Sequence, residues 1–277
     1  MNAATVPLPS SARAATVRAP LDRAQVDEAL ALAGWDGPPP RLLGTVTTTA
    51  AEIPTAEGTP THGTAVVAES TTGAALDGHD PRRAAPGSTL WLSVVLRGTG
   101  QAQGHAGWLP LAMTLAVADA VRAAAGLPNA LEWPDAIGVP GAMCGGAAGL
   151  RHLARVRVDP PDAQDESAVV VSVALNVDTD PLALPPGSTS LLLDGGRTDR
   201  AAVLASLLAA VDRRFAQWQE GDPALAADYR DRCRTIGRLA EVDGAAGWVS
   251  GIDDDGTLLV TLEASREVVR AGGDALS

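Results

Sequence analysis

The chain has 277 residues, a length that suits one large domain together with a small one, or a single large α/β unit. Hydrophobic residues make up 46% and charged residues 19% of it, so neither a disordered chain nor a fibrous repeat is a good description. The 21 basic residues are all arginine and stand against 33 acidic residues. A net charge of −12 repels a phosphate backbone, which argues against nucleic acid as a partner.

Cysteine content and hydropathy restrict the class of protein further. Cys144 and Cys233 are too few for a disulfide framework or a zinc cluster. No charged segment followed by an apolar one opens the chain. Pro110 and Asp119 interrupt the most apolar stretch, residues 109–121, which is predicted to fall short of a membrane span. We therefore expect a cytoplasmic protein that does not enter a membrane.

The N-terminal part is predicted to hold a leader and one helix. Residues 1–20 are rich in Ala, Ser, Thr and Pro without a hydrophobic period, which predicts a disordered leader. A helix is predicted from Asp22, a suitable N-cap, to Ala33, because apolar residues recur at helical spacing and Gly34 can end it. One helix leaves no room for a winged-helix DNA-binding domain before Arg41.

The middle of the chain alternates between strand and helix patterns. Three β-rich runs, 64–69, 89–97 and 168–177, predict strands, and the last is apolar enough for the centre of a sheet. Residues 111–125 predict a buried, alanine-rich helix. Residues 199–218 predict a helix whose single apolar stripe faces the core.

The pattern changes again after residue 236. Short strand candidates at 247–252, 257–262 and 267–270 are separated by turns rich in Asp and Gly. They suggest a small β-barrel domain, below the size that folds comfortably alone and therefore expected to lean on its neighbour. The predicted domains are 21–236 and 237–277.

Several short motifs in order resemble those of the biotin protein ligases, enzymes that adenylate biotin and transfer it to a lysine of a carrier domain. The matching segments are Thr45–Ala50 at the biotin loop, Gly63–Glu69 and Pro86–Arg97 around the Gly-Arg-Gly-Arg loop, Leu131–Asp135 at Lys-Trp-Pro-Asn-Asp, Ala174–Val177 at Gly-Leu-Asn-Val, Pro186–Leu191, and Tyr229–Gly237. Each motif is weak alone, but their order and spacing over residues 20–277 are a strong signal. The resemblance implies an α+β fold, a class II aminoacyl-tRNA-synthetase-like mixed sheet with helices, followed by an SH3-like barrel.

The resemblance also implies ligands and a partner. It implies biotin, ATP with Mg²⁺, and a biotin carboxyl carrier domain of a carboxylase. Biotin contacts would come from Thr48, Thr49, Thr71 and Gly146, and nucleotide contacts from Trp133, Asp135, Asn176 and Arg82. Hydroxyls serve as both donor and acceptor, which suits the ureido ring of biotin.

Alternatives remain open for these residues. Trp133 with Pro134 can instead close a core, Asn176 can cap the next turn, and threonine-rich loops are common. The four histidines are predicted to face solvent from loops, with no metal site; they are His62, His79, His105 and His152.

The positive charges that the family's chemistry needs are missing. The carboxylate of biotin and the α-phosphate of ATP are both anions, so cations must offset their repulsion. The family's two loop arginines fall on Ala75 and Asp77, and its two lysines on Glu132 and Met143. Codon bias in an Arg-rich chain would turn lysine into arginine and does not predict these residues.

Two functions follow from this pattern. The first is a divergent working ligase in which Arg82, Arg83 or Arg151 supplies charge. The second is a non-catalytic relative that keeps the fold as a binding or regulatory module, and the lost cations favour it. Residues 72–85, which lack the anchoring arginines, are predicted to be mobile or differently arranged without ligand. Formation of biotinyl-adenylate distinguishes the two functions.

Overall fold

The structure is a computed structural model that describes residues 18–53, 59–73, 84–98, 104–142, 148–159 and 168–271. Most of the predicted leader and most of the segment predicted to be mobile lie outside these ranges. So do eight residues named in the sequence argument: Ala75, Asp77, His79, Arg82, Arg83, Met143, Cys144 and Gly146.

Four helices and eleven strands make up the described part of the chain. The helices are α1 (Arg23–Ala33), α2 (Trp108–Ala120), α3 (Arg200–Glu220) and α4 (Pro223–Arg232). The strands are β1 (Arg41–Val46), β2 (Ala65–Thr71), β3 (Thr89–Arg97), β4 (Ala130–Glu132), β5 (Ala136–Ala142), β6 (Ala148–Asp159), β7 (Ala168–Asn176), β8 (Leu239–Val242), β9 (Ala245–Ile252), β10 (Leu258–Leu262) and β11 (Val268–Ala271).

The strands form two sheets. Seven make a mixed sheet in the order β1-β2-β3-β7-β6-β5-β4, in which β1 and β2 are parallel and the other neighbours antiparallel. The other four make an antiparallel sheet in the order β11-β10-β9-β8. The predicted α+β class is confirmed. The SH3-like closure of the smaller sheet and the domain boundary at 237 stay predictions.

Local signals placed several elements correctly. Asp22 caps α1 by accepting a hydrogen bond from the Gln25 amide, and Gly34 ends the helix at a φ of 70°. Asp199 caps α3 in the same way by accepting from the Ala202 amide. The strand predicted at 89–97 is observed with the same bounds.

The buried helix differs from its prediction in length. It begins at Trp108 and continues past Ala120 through a π-helical turn to Ala125. The stretch Trp108–Ala125 is therefore long and apolar enough to cross a membrane, with a mean hydropathy of 1.3, and the prediction that it falls short is wrong. Because 72% of it is buried inside the protein, it has the surroundings of a core helix.

Five strands were not predicted, and their sequences explain why. Gly138, Pro140 and Gly141 interrupt β5, which lies between the short β4 and the long β6. Arginines at 151, 155 and 157 break any apolar run in β6. Strands β1 and β8 are short and largely exposed. Sheet pairing, not local composition, decides their conformation.

The two faces of the large sheet have different partners. Leu90, Leu92 and Val94 of β3 face a core built with α1, α2 and α3. Trp91 and Val95, which alternate with them, belong to small clusters on the opposite face, called the open face below. The open face carries the candidate site.

The smaller sheet packs onto the larger unit through shared core residues and two tryptophans. Val249 and Val260 belong to the same hydrophobic cluster as α2. The indole N–H of Trp108 donates to the Asp253 carbonyl at 3.2 Å, and that of Trp133 donates to the Gly256 carbonyl at 3.0 Å. The small sheet therefore packs against the larger unit, as expected for a sheet too small to fold comfortably alone.

Candidate functional site

Three predicted biotin contacts come together on the open face. Thr48, Thr49 and Thr71 line one pocket, called the threonine pocket below. The other residues that line it are Ala50, Trp91, Arg157, Ser172 and Val173. The role of the threonines in ligand binding stays a prediction.

Backbone pairing beyond the ends of β1 and β2 shapes this pocket. The Thr72 amide donates to the Val46 carbonyl and the Gly73 amide to the Thr47 carbonyl, each at 2.9 Å. A Cβ atom at Gly73 would lie 2.7 Å from the Thr47 carbonyl oxygen, so the approach requires glycine. The pairing holds the threonine loop beside Thr71.

Buried hydroxyls form the polar part of the pocket. The hydroxyls of Thr49 and Ser93 lie 2.6 Å apart, and those of Ser93 and Ser172 lie 2.9 Å apart. The buried Thr71 hydroxyl has no hydrogen-bond partner among the described residues. Sequence reasoning missed Ser93 and Ser172, although a serine in the middle of an apolar central strand is the signal that could have found them.

The glutamate at the family's lysine position lies in an ion-pair cluster. His152 Nε2 donates to Glu132 Oε2 at 2.5 Å, and the Arg238 guanidinium pairs with the other carboxylate oxygen. These three residues are called the Glu132 cluster below. The hydrogen bond from His152, followed by the charges of His152 and Arg238, lowers the pKa of Glu132 despite partial burial.

One prediction is corrected by this cluster. His152 does not face solvent from a loop, because it lies in β6 and pairs with Glu132. The two basic side chains offset the charge of the Glu132 carboxylate. Bases that depend on such a carboxylate are not free for another anion.

Trp133 makes the contacts of a structural residue. Its backbone amide donates a hydrogen bond to Thr235 Oγ1 at 2.9 Å, and its indole N–H donates to a carbonyl of the small sheet. The Arg234 amide donates to the Leu131 carbonyl at 2.8 Å. The motif from 131 to 133 therefore holds the C-terminal segment in place.

The other predicted polar residues also have partners within the protein. Asp135 pairs with Arg155 at 2.7 Å, and Arg151 pairs with Asp194. Asn176 is buried, and its side-chain oxygen accepts a hydrogen bond from Thr89 at 3.4 Å. Both roles proposed for Asn176 from the sequence stay predictions.

The described residues fit a hydrogen-bonding ligand better than they fit ATP or a metal ion. In the described ranges, no group of three or more His, Cys, Asp or Glu side chains is placed to hold a metal ion. Arg151, Arg155 and Arg238 each pair with a carboxylate, so these arginines do not fit a triphosphate. The threonine pocket, with its unpartnered hydroxyl, fits a ligand that carries hydrogen-bonding groups.

Comparison with curated proteins finds ligases. The chain is 37% identical over 175 residues to a biotin--[acetyl-CoA-carboxylase] ligase of Mycobacterium tuberculosis, covering 60% of this chain and 61% of that protein. It is 27% identical over 196 residues to the bifunctional ligase/repressor BirA of Bacillus spizizenii, covering 67% of this chain and 58% of that protein. The match thus spans about three fifths of the length of these relatives. No protein-family model matches the chain.

Comparison with solved structures finds the same fold. The biotin protein ligase of Aquifex aeolicus in complex with biotin and ATP superposes with a TM-score of 0.66, covering 88% of this chain and 98% of that one. The two sequences are 18% identical, so this likeness speaks for the fold alone. Taken with the sequence similarity to the mycobacterial ligase, it supports assignment of the chain to the biotin protein ligases.

Proposed function

We propose that this chain is a non-catalytic member of the biotin protein ligase family, which binds a small ligand in the threonine pocket without adenylating it. The observation that carries the proposal is the Glu132 cluster. Glu132 stands at the position of a family lysine, and its lowered pKa keeps it ionised at neutral pH. The two nearest bases, His152 and Arg238, are engaged by that carboxylate.

The energetic argument concerns the missing positive charge. Attack of a carboxylate on the α-phosphate of ATP brings two anions together and needs cations placed for the transition state. Loss of one positioned donor of this kind costs roughly 2–4 kcal/mol, and losses within one site do not simply add. Two losses already reduce the rate by several orders of magnitude.

The ligand and the partner follow from family membership. We propose biotin as the first ligand to test, since the threonine pocket offers the hydroxyls that its ureido ring would use. The proposed protein partner is the carrier domain of a biotin-dependent carboxylase. Binding to such a domain without transfer would make the chain a regulatory module.

Release of pyrophosphate from ATP and biotin tests the proposal. We expect the purified chain to be at least about a thousandfold slower than the Mycobacterium tuberculosis ligase assayed beside it, because the cations at two or more positions are lost. Mass spectrometry for biotinyl-adenylate is the second measurement. Turnover near that of the mycobacterial enzyme would favour the alternative, a working ligase in which Arg82, Arg83 or Arg151 supplies the charge.

A further inference from the structure

A line of polar side chains crosses the open face of the large sheet. It runs through hydroxyl contacts from Thr49 to Ser93 and on to Ser172. Ser172 is paired in register with Ser93 of β3 on one side and with Arg157 of β6 on the other. Residues directly paired across antiparallel strands point to the same face, so Arg157 extends the line.

Apolar residues lie on both sides of this polar line. Ala68, Trp91 and Ala174 form one cluster, and Ile53 and Val95 belong to another. A hydroxyl buried among such residues is costly unless it is hydrogen-bonded. The line therefore needs a full set of partners.

Counting protons shows what the hydroxyls can still bind. Thr49, Ser93 and Ser172 carry three hydroxyl protons, and the two contacts between them use two. The third proton lies at one end of this row of hydroxyls, and the residues at both ends, Thr49 and Ser172, line the threonine pocket. The hydrogen bonds along the row can all point either way, so the hydroxyl at either end can donate to a ligand while the hydroxyl at the other end accepts. Together with the unpartnered Thr71 hydroxyl, the row suits an amide-like or ureido group.

Arg157 offers a positive charge at the far end of the line. Its described partner is Asp159, with Nε and Oδ1 3.0 Å apart and side chains 53% and 36% exposed. A pair this exposed contributes little, so the guanidinium can exchange Asp159 for another carboxylate at small cost. Strands β3 and β6 are separated by two strand spacings, about 10 Å. A ligand of that length can reach both ends.

We propose that Arg157 recognises the acid group of the pocket's ligand, through an ion pair that replaces its contact with Asp159. This inference rests on the proposed function, in which the same pocket binds without adenylation. Arg157 would supply from β6 the charge that the family resemblance places at Ala75 and Asp77.

Calorimetric titration of the full chain with biotin and with biotinamide tests the role of Arg157. The two compounds share the ring and differ in the negative charge, so we expect biotin to bind about tenfold or more tightly. Arg157→Gln should abolish that preference and leave the affinity for biotinamide unchanged. Asp159→Asn should tighten biotin binding, because it releases the guanidinium. Arg213→Gln, on α3 and 58% exposed, is the matched control and should change neither affinity.

A second variant tests the hydroxyl end. Thr71→Val keeps the side-chain shape and removes the unpartnered hydroxyl, and it should weaken both compounds by about tenfold. Equal binding of biotin and biotinamide, a preference that survives Arg157→Gln, or no binding of either compound at millimolar concentration would overturn the inference. Pyrophosphate release is measured separately. If the protein releases pyrophosphate and Arg157→Gln still abolishes the preference for biotin, the proposed function is refuted and the role of Arg157 stands.

Discussion

Glu132→Lys is expected to destabilise the protein and not to restore ligase activity, although it recreates the family's lysine. The new ammonium would face His152 and Arg238, which now pair with the carboxylate. Breaking a buried pair costs roughly 3–5 kcal/mol, and partial exposure of this cluster reduces that to about 2–3 kcal/mol. The free energy of unfolding, measured with urea, gives the size of the loss.

A charge reversal on the smaller sheet controls for net charge. Glu241 of β8 is exposed, so Glu241→Lys should change stability by less than about 0.5 kcal/mol. If Glu132→Lys were as stable as this control, or if it released pyrophosphate at the rate of an ordinary ligase, the structural role assigned to Glu132 would be wrong.

The same cluster predicts a pH dependence with a defined sign. The folded state lowers the pKa of Glu132 from its ordinary value of 4.5, so its contribution to stability is present above that value. The contribution is lost as pH falls through the lowered, folded value. The stability difference between the protein and Glu132→Gln should thus be largest near neutral pH and shrink below about pH 4.5. A difference that stays constant down to pH 3 would contradict the assignment.

Asp119→Ala, a change in helix α2, is expected to cause a large loss of stability. Asp119 of α2 accepts hydrogen bonds from Arg214 of α3 at 2.9 Å and from Arg232 of α4 at 2.5 Å. The two arginine side chains are only 10% and 15% exposed. Burial lowers the pKa of Arg232, and the hydrogen bond and charge of Asp119 act in the opposite direction.

Removal of Asp119 would leave the nearly buried Arg232 guanidinium without its carboxylate partner, whereas Arg214 would keep only Asp228 as a carboxylate partner. We expect a loss of roughly 3–5 kcal/mol, seen as a shift of the urea midpoint. Asp27→Ala is the matched control, because Asp27 pairs with Arg23 on an exposed helix face and should contribute under about 0.5 kcal/mol. Equal midpoints for the two variants would show that the pairing on α2 adds no stability.

Local patterns in the sequence were sufficient for elements whose cause is local. Asp22 and Asp199 cap helices because their side chains reach amides three residues further along the chain. The apolar run of β7 predicts a central strand, and β7 lies between β3 and β6. Strands such as β6 were missed because their conformation depends on pairing with distant segments.

The candidate site likewise combines residues that sequence motifs predicted with residues that only the sheet brings together. Ordered motifs predicted that Thr48, Thr49 and Thr71 share a function, and the structure brings them to one pocket. Arg157 could not be added from sequence, because its place in the pocket depends on the register of three strands. Register is a property of the assembled sheet.

By itself, the sequence determined the family resemblance, the order of the main helices and central strands, and the absence of lysine from a position where the family has one. Only the tertiary structure decided that Glu132 is neutralised by His152 and Arg238, which lie 20 and 106 residues further along the chain. Charge pairing acts over a few ångströms of space, and sequence distance carries no information about which bases come that close.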